Sequence, residues 1–265
     1  MERAATLIPL GMNGFFPSYG RETMSFLLID GERFLLLDAG SGVGRLVAPE
    51  LRECLKGADR FEVVLTHYHL DHLVGLPSLH RLAQGKPLML HVPASPLVDA
   101  SPDSLEKLIA PPFFPVPLTS WTHPVEVAPF HSSPLFASGF RLEVRRQLHP
   151  GGSVGVRVGD LLAYLTDTAW DEGLAEFVKG VSWLLIEAWS LEARSTQEEL
   201  KRSGHLSARQ AGRVAQEAQV QDLALVHHPP WAERELLEQL RLEAQEMTQA
   251  RVWLLEEGQP VKLTS

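Results

Sequence analysis

The sequence predicts a fold of the α/β (α+β) class, built as one domain (1–265) from two αβ halves. Three observations predict it. Short apolar runs rich in Leu and Val alternate with helix-like stretches over residues 1–92 and again over 140–255. Several runs, FEVVL at 61–65 among them, lack the polar alternation of a half-exposed strand and read as strands covered on both faces. Between the two blocks, residues 101–136 hold eight of the nineteen prolines, but no stretch rich in glycine, serine and charge that would mark a linker between independent domains. At 265 residues and 45% hydrophobic content the chain can bury a sizeable core.

Residues 5–10 read as a strand ended by the turn-forming Gly11-Met12-Asn13-Gly14. Strands at 25–30 and 34–38 flank Gly31-Glu32-Arg33, which has the length and glycine of a hairpin loop. The glycine-rich stretch 40–44 breaks the second of these, and 45–55 is helix-like. A buried strand at 61–65 leads into 66–72, then a helix to about Gln84 and a strand at 87–92. Residues 101–136 are expected to be irregular: a connection with one helical turn near 104–109 or, alternatively, a lid over a site. Strands follow at 140–148, 153–158 and 161–165, the last two joined by Gly159-Asp160, and at 181–187. Residues 207–218 are a helix, 223–226 a strand and 233–247 a polar-faced helix, with 251–255 and 261–263 closing the chain. There is no repeat of short fixed period.

Composition removes several classes of function. The single cysteine, Cys54, excludes an internal disulfide framework and a cysteine-based zinc cluster. With 33 acidic against 24 basic residues and a net charge of −9, nothing global favours nucleic acid. No apolar run approaches the ~20 residues that span a bilayer, and MERAATLIPLG is too short in apolar residues for a signal peptide. A cytoplasmic location and no membrane partner are expected.

Four residues able to ligate a metal fall within six positions, His67-x-His69-x-Asp71-His72, where the run 61–65 gives way to a loop. In a packed core so many imidazoles would leave ring nitrogens unpaired, and on a solvated face nothing requires this order. A metal explains both. Imidazole and carboxylate donors without thiolate suit Zn²⁺, with Mn²⁺ or Fe²⁺ as alternatives. Residues 67 and 69 of an extended loop point one way while 71 and 72 begin the next turn, an arrangement that offers ligands to two ions. Two ions need more than four ligands. Three further candidates stand where apolar runs end: His149 after 140–148, Asp167 after LLAYL and His227 after LALV.

With Asp38 in LLDAG at 36–40, then HYHLDH at 67–72, His149, Asp167 and His227 in that order, the chain resembles the metallo-β-lactamase superfamily over nearly its whole length. The resemblance implies a four-layer αββα sandwich with a dinuclear centre on one edge. It implies His67, His69 and His149 on one ion, Asp71, His72 and His227 on the other, Asp167 bridging, and Asp38 orienting the metal loop from behind. Capping the 40–44 turn is a second role open to Asp38. The C-terminal third is similar to the ribonuclease Z and phosphodiesterase branch, through Thr166-Asp167-Thr168, Glu187-Ala188 and Gly204-His205-Leu206-Ser207 ahead of a helix. That similarity implies His205 as general acid or transition-state donor and Glu187 as its orienter, with Asp71 counted in the catalytic set. His228 competes with His227, whose register at the end of LALV is the better one.

The departures narrow the substrate. Ribonuclease Z carries a tRNA-gripping arm between the third histidine and the bridging aspartate, and here His149 and Asp167 are 18 residues apart, room for two strands and a turn. The one notable basic cluster, Arg141, Arg145, Arg146 and Arg157, reads as a solvated strand face. A small-molecule substrate is therefore expected as partner, tRNA is not, and a homo-oligomer stays open. His80, His91, His123 and His131 have no partners at ligand spacing and read as surface or packing residues; His123 and His131 reach the site only if 101–136 folds over it. Two ions sharing a water lower its pKa from about 15.7 to near ~7 and activate a bridging hydroxide. Hydrolysis of a small phosphodiester is the expected activity. A lactone, thioester or sulfate ester is the alternative bond, and a non-catalytic metal- or nucleotide-binding protein is the third reading.

Overall fold

The computed structural model describes residues 4–83 and 85–264. The chain first lays down β1 (Ala4–Gly11), β2 (Ser25–Asp30), β3 (Arg33–Leu37), β4 (Phe61–Val64), β5 (Leu88–Pro93) and β6 (Val125–Phe130). It continues through β7 (Leu135–Ala137), β8 (Phe140–Gln147), β9 (Ser153–Val158), β10 (Leu162–Leu165), β11 (Trp183–Glu187), β12 (Asp222–Val226) and β13 (Arg251–Trp253), and returns in β14 (Val261–Thr264). Two seven-stranded sheets result, in the orders β14-β1-β2-β3-β4-β5-β6 and β13-β12-β11-β10-β9-β8-β7. Each sheet is antiparallel over four strands, β14-β1-β2-β3 or β7-β8-β9-β10. The rest, from β3 to β6 and from β10 to β13, is parallel.

Side-chain alternation divides the interior into three cores. Phe26, Leu28, Leu35 and Leu37 from one sheet meet Val156, Tyr164 and Leu185 from the other. Leu27, Leu36 and Val63 face away and pack against Leu51 of α1 (Pro49–Cys54), Leu79 of α3 (Leu79–Leu82) and Leu105 of α4 (Asp103–Leu108), whereas α2 (Leu70–Leu73) sits at the strand ends. On the opposite side Leu184, Ile186 and Leu225 pack against α5 (Gly173–Val178), α7 (Ala208–Ala218) and α8 (Arg234–Gln245), with α6 (Gln197–Ser203) leading into α7. Both faces of both sheets are thus covered, which is why so many strands read as continuous apolar runs. The layers are α, β, β, α, as expected. No helix among the described residues is long and apolar enough to cross a membrane.

Several expected elements need correction. Residues 101–136 contain the expected helical turn, α4, but also two strands: β6 closes the first sheet beside β5, and β7 pairs with β8 at the edge of the second. Pro129 is tolerated in β6 because that strand is an edge. Leu105, Ile109, Leu118 and Trp121 are buried in the outer core, so the segment is a packed wall and not a lid. The helix expected at 45–55 is split into a 3-10 stretch, Ser41–Val47, and α1, which starts on Pro49. The helix expected after residue 72 is broken into α2, a 3-10 turn at Leu76–Ser78 and α3, interrupted by Gly75 and Pro77; its expected end at Gln84 lies outside the described residues, as do residues 1–3 of the N-terminal stretch. Helices α5 and α6 were not foreseen, being six and seven residues long. Arg141, Arg145, Arg146 and Arg157 pair with Glu143, Asp171, Asp99 and Asp160, so the basic cluster is spent on intramolecular ion pairs.

Candidate metal centre

Strands β3, β4, β8, β10, β11 and β12 all end on one rim, where the carboxyl ends of parallel strands leave a crevice. Three site residues stand just past strand ends in left-handed conformation: Asp38 (φ 58°), Asp167 (φ 43°) and His227 (φ 52°). A non-glycine residue there costs roughly 1–3 kcal/mol and persists only where its surroundings hold it. Here Asp167 and His227 face each other, and Asp38 is held by His72, Tyr164 and Thr66.

The seven expected ligands are brought together, and Asp167 is their centre. Its Oδ2 lies 3.6 Å from His67 Nε2 and 3.5 Å from His149 Nε2, and His149 Nε2 is 3.1 Å from His69 Nδ1. Its Oδ1 lies 3.2 Å from His72 Nε2 and 3.3 Å from His227 Nε2. Asp71 Oδ2 is 3.3 Å from His227 Nε2 and 3.6 Å from His72 Nε2. Two donor groups result, His67-His69-His149-Asp167 and Asp71-His72-His227, each with its ligand atoms within 4.8 Å of one another. The buried Nε2 atoms of His67 and His72 make no hydrogen bond. Enclosed imidazole nitrogens without a partner, converging with a carboxylate, fit a cation and fit little else.

A layer behind the ligands sets which nitrogen faces the cleft. The buried Asp38 accepts from His72 Nδ1 at 2.8 Å, from Tyr164 Oη at 2.8 Å and from the Thr66 backbone N–H at 2.8 Å. Thr66 Oγ1 also donates to Asp38 and sits 3.0 Å from His67 Nδ1. His149 Nδ1 donates to the Gly204 carbonyl at 3.0 Å, leaving Nε2 for the cleft. Asp38 does not cap the 40–44 turn: no side chain caps the 3-10 stretch there. Glycine permits the close approaches, since a Cβ on Gly14 would lie 2.5 Å from the His227 ring and one on Gly204 2.5 Å from His149 Nδ1. The sequence reading missed Thr66 and Tyr164. A tyrosine inside the otherwise apolar LLAYL was the available signal, because its hydroxyl must find a partner when buried. Tyr164→Phe is expected to cost about 1–3 kcal/mol by leaving Asp38 short of a donor, read as a lower urea midpoint at unchanged slope; an unchanged midpoint would show that bond to be dispensable.

The protonation pattern follows from these contacts. Burial alone would raise the carboxyl of Asp167, but His227, His72 and His67 hold it well below the usual range, and His72 and His227 do the same for Asp71. Burial and the neighbouring His72 push His67 down, so its ring is neutral. His72 is the exception, since burial disfavours its charge but Asp38, Asp167 and Asp71 hold it well above the ordinary value. A cation held by these residues would take the place of that proton.

His205 stands beside this cluster. Its Nδ1 donates to Glu187 Oε2 at 2.9 Å, and the fully buried Glu187 also accepts from the Thr168 backbone N–H. Burial disfavours the imidazolium, but Glu187 reverses this and the pKa is pushed up to about 9. The capping box of Ser207 and Gln210 starts α7, and left-handed Gly204 ends α6, so the His205 loop is held at both ends. His205, Asp167 and His227 also bring donor atoms within 4.8 Å of one another, so His205 stands within reach of a ligand's role. His228 belongs to none of these donor groups: it is buried, and burial, Arg21 and His227 push its pKa down to about 3. The four remaining histidines are elsewhere, His91 on Glu62, His131 on the Ser95 carbonyl, and His80 and His123 against Trp121.

The cleft above the cluster has a volume of about 540 Å³ and no residue of 101–136 lines it. Phe15 and Trp189 do, and the sequence reading named neither.

Residues 33–228 match the family model described as beta-lactamase superfamily domain. The chain is 31% identical over 271 residues to ribonuclease Z of Nocardia farcinica, covering 83% of this chain and 86% of that protein. It is 28% identical over 256 residues to the probable metallo-hydrolase YhfI of Bacillus subtilis, covering 94% of this chain and 96% of that one. The crystal structure of YhfI, described as a metallo-beta-lactamase fold protein, superposes with a TM-score of 0.79 at 22% identity, over 98% and 99% of the two chains. Human tRNase Z, short form, superposes with a TM-score of 0.71 at 18% identity, over 97% and 98%.

Proposed function

The chain belongs to the beta-lactamase superfamily, and from that premise we propose that it is a dinuclear, zinc-dependent hydrolase of small phosphodiesters. The family and the αββα fold agree with the resemblance carried by HYHLDH and the strand-end residues after it. One observation carries the dinuclear reading: the two oxygens of Asp167 face two separate sets of imidazoles. His67, His69 and His149 would hold one ion, Asp71, His72 and His227 the other, and Asp167 both. The all-nitrogen-and-oxygen donor set favours Zn²⁺, with Mn²⁺ or Fe²⁺ able to substitute.

Two such ions would supply Lewis-acid activation of water and charge neutralisation at the scissile group. The chain's own residues supply the proton and its placement. His205 is charged at neutral pH through Glu187, and with Nδ1 committed to that carboxylate it presents Nε2–H as the donor. The proton moves from Nε2 to the oxygen that gains charge as the ester bond breaks, leaving a neutral ring. Thr168 N–H holds Glu187 and so keeps the ring in position. The short interval between His149 and Asp167, which holds only β9, β10 and their turn, supports a small substrate over tRNA. The relative in Nocardia farcinica bears the name ribonuclease Z, which supports a phosphodiester as the bond.

Zinc-reconstituted protein is expected to hydrolyse bis-p-nitrophenyl phosphate faster than a panel of nitrophenyl esters and lactones, and chelation should abolish the turnover. A fully loaded protein that cleaves the carbonyl panel and spares the diester would replace the phosphodiester reading with the alternative bond.

A further inference from the structure

The mouth of the cleft is apolar where a nucleic-acid enzyme would be basic. Phe15 is 68% exposed, Leu70 61% and Trp231 55%. Phe15 and Leu70 border the cleft at its Asp71 end, where the Phe15 backbone N–H donates to Asp71 Oδ2 at 2.7 Å. Trp189 borders it at the His205 end, stacked on that ring at 4.6 Å and 16°, with Trp231 edge-on behind it at 5.2 Å.

The loop that presents Phe15 is fixed by polar contacts. Asn13 accepts from Arg21 Nε at 2.7 Å and donates to Ser18 Oγ at 2.9 Å, Arg21 donates to the Ala232 carbonyl, and Gly14 N–H donates to the His228 carbonyl. A large ring held in water by a braced loop forfeits stabilisation of about 25 cal/mol for each Å² left uncovered. It recovers that when a ligand covers it. The volume lies within the range of small-molecule sites.

Charge points the same way. Among the described residues no lysine or arginine lines this cleft. Arg146, Lys201 and Arg202 line an adjoining cleft beyond His149 and Pro150, and Arg146 is already paired with Asp99.

We propose that the cleft selects substrates with a flat aromatic arm, seated against Phe15 and Trp189, and with no charge beyond that of the scissile group. The proposal rests on the hydrolase reading above and deepens it by naming the substrate class. It extends the roles of this chain's residues to specificity: Phe15 and Trp189 contact the arm, and Trp231 supports Trp189.

The test is calorimetric titration of zinc-loaded protein with phenylphosphonate, methylphosphonate and 4-phosphonobenzoate, which share the group that meets the metals and differ in the arm. Phenylphosphonate is expected to bind roughly tenfold more tightly than methylphosphonate, the scale of one aromatic stacking contact. Phe15→Ala should bring that ratio close to one, and Trp231→Ala should lower it in part; both side chains are exposed, so neither change threatens the core. Equal affinities in the wild type, no binding of either ligand, or tighter binding of 4-phosphonobenzoate each overturn the proposal. Binding needs no turnover, so the two readings fail separately. Protein that prefers phenylphosphonate but leaves bis-p-nitrophenyl phosphate intact keeps the aromatic arm and loses the phosphodiester.

Discussion

Asp167→Ala is expected to release at least one of the two proposed ions and to lower turnover by more than about 10³-fold. The carboxylate turns one oxygen to imidazoles of each donor set, all within 3.6 Å. Losing a group that merely orients a ligand typically costs 10–100-fold in metal affinity or activity, and losing a shared ligand must cost more. Metal analysis after gel filtration reads the first effect and turnover the second. Retention of both ions would refute the bridging assignment. Removing Asp167 also leaves His72 with Asp38 and Asp71 as its counter-charges.

His205→Ala is expected to lower turnover of the phosphodiester by about 10²–10⁴-fold, the usual range for general acid catalysis, with both ions retained. The pH profile carries a second signature. The folded protein raises the pKa of His205 to about 9 through Glu187, so the donor is charged below that value and the rate falls as the pH climbs through it. Cations bound in the cleft would oppose the shift and move the fall to lower pH. This basic limb should vanish in the alanine variant and move further down in Glu187→Gln. Loss of metal on replacing His205 would make it a ligand instead, a role its distance from Asp167 and His227 allows.

Much of this rim was legible because its chemistry is unusual in residue type. Three imidazoles and a carboxylate in six positions have few explanations, and His149, Asp167 and His227 stand out as polar residues closing apolar runs. The layers were legible for a related reason, since strands buried on both faces lose their alternation. What stayed hidden is carried by ordinary residues. Thr66 and Tyr164 become important only because Asp38 lies within reach of both. Phe15 and Trp189 look like any aromatics until the fold brings them over the same cleft. The strands β6 and β7 were concealed by Pro124, Pro129 and Pro134, which an edge accommodates and a central strand does not.

Each proposed ion draws ligands from both halves of the chain, and this orders events in time. A nascent chain holding only β1 to β5 already displays His67, His69, Asp71 and His72, yet neither donor set is complete until β8, β10 and β12 have been laid beside them. His227 lies 160 residues beyond His67, so the centre closes through contacts of very long range, the kind that form late and slowly. Until then the histidine-rich loop holds only part of either donor set. On the two-ion reading, selection of the metal belongs to the finished protein and not to the nascent loop.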